Sequence, residues 1–162
     1  MNIFFLHPDP AEAARLHCDK HVGKMLVETA QMLSTALRLN GFDLGYKPAY
    51  VNHPMTVWVR SGAANYGWAL DLADGLAAEY THRFGREHKT AGVLEELRHG
   101  GDWTARLGKG RSTPVPLCMP EPYKVAGDPV ASYRNFYRAE KARFARYTNR
   151  PVPDFMEGAA LP

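Results

Sequence analysis

The sequence predicts a mainly α-helical protein: a single compact helical domain over residues 1–162, with a short extended N-terminal segment and a long Pro/Gly-rich loop before the last helix. Three observations carry this expectation. Apolar residues recur at threes and fours through several long stretches, the spacing of one helix face. Asp, Asn, Pro and Gly fall where helices start and stop. No internal repeat and no linker divides the chain.

MNIFFL reads as a short strand or extended lead-in, ended by His7 and Pro8. Asp9 then caps a first helical stretch with Pro10 in its opening turn. Asp19 suggests a second cap, so a long helix is expected from about Lys20 to Leu39. Asn40-Gly41 stops it, since both residues tolerate left-handed backbone. Residues 42–54 read as a loop. From Met55 to Phe84 the pattern is helical with a break near Ser61-Gly62, and its buried stripe is Tyr66, Ala69, Ala73, Leu76 and Tyr80. A short helix follows around Thr90–Arg98. Residues 99–129 hold five of the twelve prolines and five glycines and read as a long irregular segment. Asp128-Pro129 opens a final helix, with Val130, Tyr133, Tyr137, Phe144 and Tyr147 inward and Pro151 and Pro153 ending it. The tail after Phe155 reads as loose.

Composition limits the function classes. With 45% hydrophobic and 23% charged residues the chain is ordinary globular material. No stretch reaches the ~18 apolar residues of a membrane span, and MNIFFL is too short for a signal peptide. Cys18 and Cys118 are too few for a disulfide framework and read as reduced thiols, in keeping with a cytoplasmic protein. The net charge is only +3. Its distribution matters more: between Tyr133 and Arg150 six cations (Arg134, Arg138, Lys141, Arg143, Arg146, Arg150) meet one acid, Glu140. Such a local excess attracts phosphates.

The long helix around 17–38 carries two stripes. Val22, Met25, Leu26, Leu33, Ala36 and Leu37 form an apolar face. His21, Lys24, Glu28, Gln31, Thr35 and Arg38 form a mixed polar edge that offers acid/base, charge and hydrogen-bonding groups together. A boundary helix with a varied polar flank explains the same spacing, and periodicity alone favours that plainer reading.

Other candidates carry plain alternatives too. His17 and His21 have the i, i+4 spacing of a metal site, with Glu28 seven further on. A third ligand must come from His53, Glu79 or His88, and a helix starting at Asp19 breaks the register. No cofactor is called for, a divalent metal being the lesser alternative. Asn52-His53-Pro54 marks a loop-to-helix junction where His53 faces a phosphate or base, or Asn52 simply caps. Glu79, Arg83, Arg86, His88 and Lys89 gather near a helix end, where cations also serve the helix dipole. Gly108-Lys109-Gly110-Arg111 suits a basic loop over a nucleic-acid backbone and lacks the ending of a nucleotide-binding P-loop.

Four pieces in order resemble a known family: an extended lead ending in Leu6-His7-Pro8 and followed by an Asp-started helix carrying Glu28; His53-Pro54 with Arg60 six residues beyond; Glu79–Gly85, EYTHRFG, at the end of the next long helix; and a basic C-terminal helix running into Arg150-Pro151 with Phe155 close behind. Together these resemble the pyrimidine-dimer DNA glycosylases, small all-α phage and bacterial repair enzymes. The chain is also similar to a group of phage proteins sharing the Asp-Lys-His and Asn-His-Pro segments.

The resemblance implies a DNA glycosylase, with or without AP-lyase activity, acting on a damaged or modified pyrimidine. In that family an N-terminal amine is the nucleophile and a glutamate on the first long helix is the acid/base. Glu28 matches that glutamate across a gap, with His21 as the rival match. His53, Arg60, Lys24 and Arg38 become DNA contacts by the same implication. Arg83, Lys109, Arg111, Arg134, Arg138 and Lys141 join them as phosphate contacts on their charge. One departure stands out. The best-known member loses its initiator methionine to expose a small residue, whereas Asn2 is bulky enough to favour retention of Met1. Three outcomes stay open: the Met1 amine attacks, a lysine such as Lys24 attacks, or lyase chemistry is absent. Two rival functions stay open as well, a nucleotide- or base-modifying enzyme using His17, His21 and Glu28, and a non-catalytic DNA-binding protein.

Overall fold

The computed structural model describes residues 1–108 and 110–162. Among them are seven α-helices and no strand: α1 Pro10–Arg15, α2 Asp19–Arg38, α3 Pro54–Arg60, α4 Ala63–Phe84, α5 Ala91–His99, α6 Trp103–Leu107 and α7 Pro129–Lys141. Short 3-10 turns follow at Glu121–Tyr123, Ala142–Phe144 and Asp154–Met156.

The expected local signals act as read at several ends. Asp9 accepts the Ala11 and Glu12 backbone N–H groups, capping α1 ahead of Pro10. Gly85 closes α4 in the left-handed region at φ 66°. The break between α3 and α4 falls at Ser61-Gly62 as expected, and the Asn65 amide secures it by donating to Trp58 O and Ser61 Oγ.

The core forms where α2 and α1 pack on α4, with α3 against α2. The apolar stripe of α2 is fully interior, Val22, Leu26, Leu33, Ala36 and Leu37 all at 0% exposure, and it meets Tyr66, Leu70, Ala73 and Leu76 of α4. Burying such residues away from water is the main driving force for this arrangement. The α1–α4 crossing is tight: a Cβ on Gly75 would stand 2.8 Å from Ala14 Cβ, so the absence of a side chain at 75 sets that approach.

The N-terminal segment is extended, as one of its two expected forms, and pairs with no strand among the described residues. Ile3, Phe4, Phe5 and Leu6 thread into the core instead, Phe4 stacking on His21 at 4.9 Å and Phe5 on Trp68 at 4.5 Å. Asp19 is the first residue of α2 rather than its cap, because its carboxylate is occupied by Thr148 N–H, Thr148 Oγ1 and Arg83. The C-terminal tail is docked, with Met156 fully buried, since it supplies a core side chain that the sequence placed in a loose end. The last helix also stops at Lys141, so Phe144 and Tyr147 come from the 3-10 turn and loop beyond it. Within the long segment before α7, α6 is an unexpected short helix capped by Asp102.

Two tethers hold the segment after α6 to the core. The Trp58 indole N–H donates to Thr113 O at 3.1 Å, and Asn65 Oδ1 accepts the Thr113 backbone N–H at 3.0 Å. Residues 112–118 are thereby laid beside α3 and reach the start of the chain.

Candidate active site

The N-terminal thread delivers the first residues of the chain to the middle of α2. Met1 anchors them with a side chain only 1% exposed, and its amine lies 3.5 Å from Glu28 Oε2. The Asn2 backbone N–H donates to the same oxygen at 2.8 Å. Asn2 is itself held on its other side, its Nδ2 donating to Cys118 O at 3.1 Å. The second Glu28 oxygen faces Lys24 Nζ at 3.8 Å, one helical turn away. Glu28 keeps a 15% exposed side chain, so this carboxylate is sheltered but not fully buried.

His53 stands at the rim of the same cluster. It is the cap of α3, and its Nδ1 accepts the Met55 N–H at 3.2 Å. Burial holds its imidazole below the ordinary range, the nearby Met1 ammonium lowers it further, and Glu28 pulls the other way. Asn52, the alternative cap, does not cap α3. The same Met55 N–H reaches the Cys118 thiol, which burial pushes upward. Amine, two carboxylate oxygens, ammonium and imidazole therefore converge from three parts of the chain: its start, α2 and the cap of α3.

This arrangement is what an amine nucleophile with a neighbouring proton acceptor requires. A match to the sequence model of the family described as pyrimidine dimer DNA glycosylase spans residues 1–91, more than half of the chain.

The chain belongs to that family.

Comparison with curated proteins and with solved structures returned no match. The family assignment makes the chain a pyrimidine dimer DNA glycosylase at family level, with DNA as its substrate class. The match takes in the N-terminal thread and α1–α4, and with them every group of the Met1–Glu28–His53 cluster except the Cys118 wall. Among the described residues no helix is long and apolar enough to cross a membrane.

Of the candidates read from sequence, Met1, Lys24, Glu28 and His53 come together. His21 does not. It is 4% exposed, stacked on Phe4 and hydrogen-bonded through Nδ1 to the Tyr137 hydroxyl at 2.8 Å. Burial lowers its pKa to about 3, so it is a neutral interior group. His17 lies in the α1–α2 connection, fully buried, with Nδ1 on Ala13 O at 2.7 Å and a pKa lowered by burial to about 4. Both rings pack against Phe4 and Tyr137 with Nδ1 already engaged, and no described group of three or more His, Cys, Asp or Glu is arranged to hold a metal.

Two further readings are corrected by ion pairing. Arg83 has a fully buried guanidinium that donates to Glu79 Oε2, His17 O, Asp19 Oδ1 and Arg15 O. It clips the α1–α2 junction to α4 and presents nothing to a phosphate. Arg38 donates to Tyr46 O at 2.7 Å and Gly45 O at 3.0 Å and pairs with Asp43, so it closes the loop after α2. Glu79 takes both Arg83 and Arg150; burial raises its pKa, but those hydrogen bonds outweigh it and hold the carboxyl below its usual range.

The remaining cations divide. Arg60, the last residue of α3, is half-buried and donates to Val51 O. Arg134 donates to Leu6 O at 2.9 Å and lies over the Phe155 ring at 5.2 Å, steadying the N-terminal thread. Arg111 and Arg138 are exposed. Lys141 is half-buried with Nζ 4.7 Å from the Phe136 ring centre, and burial lowers its pKa. Lys109 lies outside the described residues.

Sequence reasoning missed Asn2 and Cys118 as parts of the site. Asn2 contributes a backbone N–H, which any residue type would supply, so no side-chain signal existed. Cys118 is brought in by a loop far along the chain from Glu28, and nothing local announces such a meeting.

Proposed function

We propose that this protein is a DNA glycosylase for a damaged or modified pyrimidine, in which an amine at the start of the chain attacks the sugar and Glu28 manages the protons. The observation that carries the reading is the pair of backbone nitrogens at Glu28 Oε2, Met1 N at 3.5 Å and Asn2 N at 2.8 Å. With Met1 or Asn2 as the free terminus, an amine stands beside that carboxylate.

The amine nitrogen donates its lone pair to C1′ of the extruded nucleotide. The C1′–base bond breaks with its electron pair leaving on the base, which takes up a proton. Glu28 accepts the proton that the new C1′–N bond makes acidic and its negative charge favours the cationic sugar. Opening of the sugar ring gives a C1′=N iminium, from which removal of a C2′ proton and loss of the 3′ phosphate is the AP-lyase step. Lys24, His53, Arg60, Arg111, Arg134, Arg138 and Lys141 are the groups proposed to hold the DNA, with Lys109, two positions before Arg111 in the sequence, as a further candidate. Extruding the base costs a few kcal/mol, least for a damaged base.

Two measurements test this. Borohydride with abasic-site DNA should yield a covalent protein–DNA product, and thymine-dimer DNA should lose one glycosidic bond, read as thymine released once the dimer is photoreversed. Intact mass of the purified protein identifies the residue that carries the amine. Wild-type protein that neither breaks that glycosidic bond nor traps on DNA contradicts the proposal.

A further inference from the structure

His53 has a hydrogen-bonding capacity that the helix cap does not use. With Nδ1 accepting the Met55 N–H, the neutral ring must carry its proton on Nε2. Among the described residues that Nε2–H meets no hydrogen-bond acceptor. The ring is half-buried, and the charges of both the Met1 amine and Glu28 act on it. It is tied to them through structure as well: Met55 N–H joins the ring to Cys118, the Cys118 carbonyl holds Asn2, and the Asn2 N–H sits on Glu28. A donor of fixed tautomer, unengaged and beside the reacting pair, is more than a cap needs.

We propose that His53 is a third catalytic residue, its Nε2–H donating to an oxygen of the bound nucleotide, either the deoxyribose ring oxygen or a carbonyl of the departing base. This rests on the glycosylase reading given above. Both oxygens gain negative charge during the reaction. When the C1′–base bond breaks, its electron pair delocalises onto the base carbonyl. When the ring opens, the C1′–O4′ pair goes to O4′. A preorganised donor stabilises either one. A neutral donor suits this place better than arginine or lysine, because a full positive charge would oppose the iminium forming on C1′. Of the site's other groups, Lys24 faces Glu28, and the Asn2 N–H already has its acceptor.

Two substitutions separate this role from capping. In H53N the side-chain oxygen takes the place of Nδ1 and asparagine is a good N-cap, but the distal donor is gone. In H53Q the amide nitrogen approaches the position of Nε2 while the cap is lost. Glycosidic cleavage of thymine-dimer DNA, read as thymine released after photoreversal, and lyase cleavage of abasic-site DNA are measured for both, with thermal melting alongside. We expect H53N to melt like the wild type and yet lose tenfold or more in rate, and H53Q to melt lower and keep more of the rate per folded molecule. A slower reaction on both substrates places the acceptor on the sugar, and a slower reaction on dimer DNA alone places it on the base. Wild-type rates for H53N on both substrates overturn the proposal while leaving the glycosylase reading intact. Silence of the wild-type protein itself overturns both.

Discussion

The Asn2 backbone N–H donates to Glu28 Oε2 at 2.8 Å, and this single bond places the start of the chain against the middle of α2. Ile3 accompanies it as a fully buried neighbour, so the position is held by packing as well as by hydrogen bonding. The site is thus built by threading the N-terminus through the core, with α2 supplying the carboxylate.

Replacing Glu28 with glutamine should test that carboxylate. Glutamine retains an oxygen for the Asn2 N–H but cannot take a proton or stabilise a cationic sugar. Base release should fall by roughly 10²–10⁴-fold, the usual scale for losing a general acid/base. DNA affinity, measured by fluorescence anisotropy, should stay within a few-fold of the wild type. Unchanged base release would remove Glu28 from the mechanism.

Arg83 should behave as a structural residue. Changing it to methionine leaves Glu79 and Asp19 short of a cation and two carbonyls short of a donor. Breaking a buried pair in this way costs about 3–5 kcal/mol, read by urea unfolding. Affinity for DNA, normalised to the folded fraction, should not change. A stable R83M protein with weakened DNA binding would restore the phosphate-binding role.

Arg111 and Arg138 make the opposite prediction. Both are exposed, so each alanine substitution should leave stability nearly unaltered. Removing a cation that neutralises one phosphate should flatten the slope of log affinity against log salt by about 0.9. An R111A/R138A protein with the wild-type slope would place the DNA on another face.

His17 makes acid stability predictable. Its folded pKa is lowered to about 4 from an unfolded value of 6.5, mainly by burial. A group depressed in this way favours folding fully above pH 6.5, and its contribution is lost as pH falls toward 4, where the unfolded chain binds a proton that the folded one rejects. The loss is on the order of 3 kcal/mol across that window. Denaturation midpoints between pH 7 and 4 should show it, and H17L should flatten the decline. His21, lowered to about 3, extends the same trend to lower pH.

Helix ends and faces were largely legible in the residues, because capping and periodicity act over a few positions. Asp9-Pro10, Gly85 and the Val22–Leu37 stripe all did in the structure what their local chemistry suggests. The polar edge of α2 was legible only as an edge. Among its members, Glu28 meets the N-terminus and Lys24 pairs with Glu28, whereas His21 and Thr35 turn into the interior and Arg38 closes a loop. Helical spacing separates these residues by angle, and angle alone does not say which neighbour arrives.

The sequence by itself determined that the chain is helical, where its longest helices run, and that a carboxylate with a nearby lysine lies on the flank of the second. Only the tertiary structure decided that Glu28 meets the backbone of Met1 and Asn2, that His53 joins them, and that Arg83 is locked away from solvent. The physical reason is range. Helix propensity and capping are settled among residues a turn apart, while a site made by an N-terminal thread, a helix middle, a distant cap and a late loop depends on long-range burial that brings them within a few ångströms.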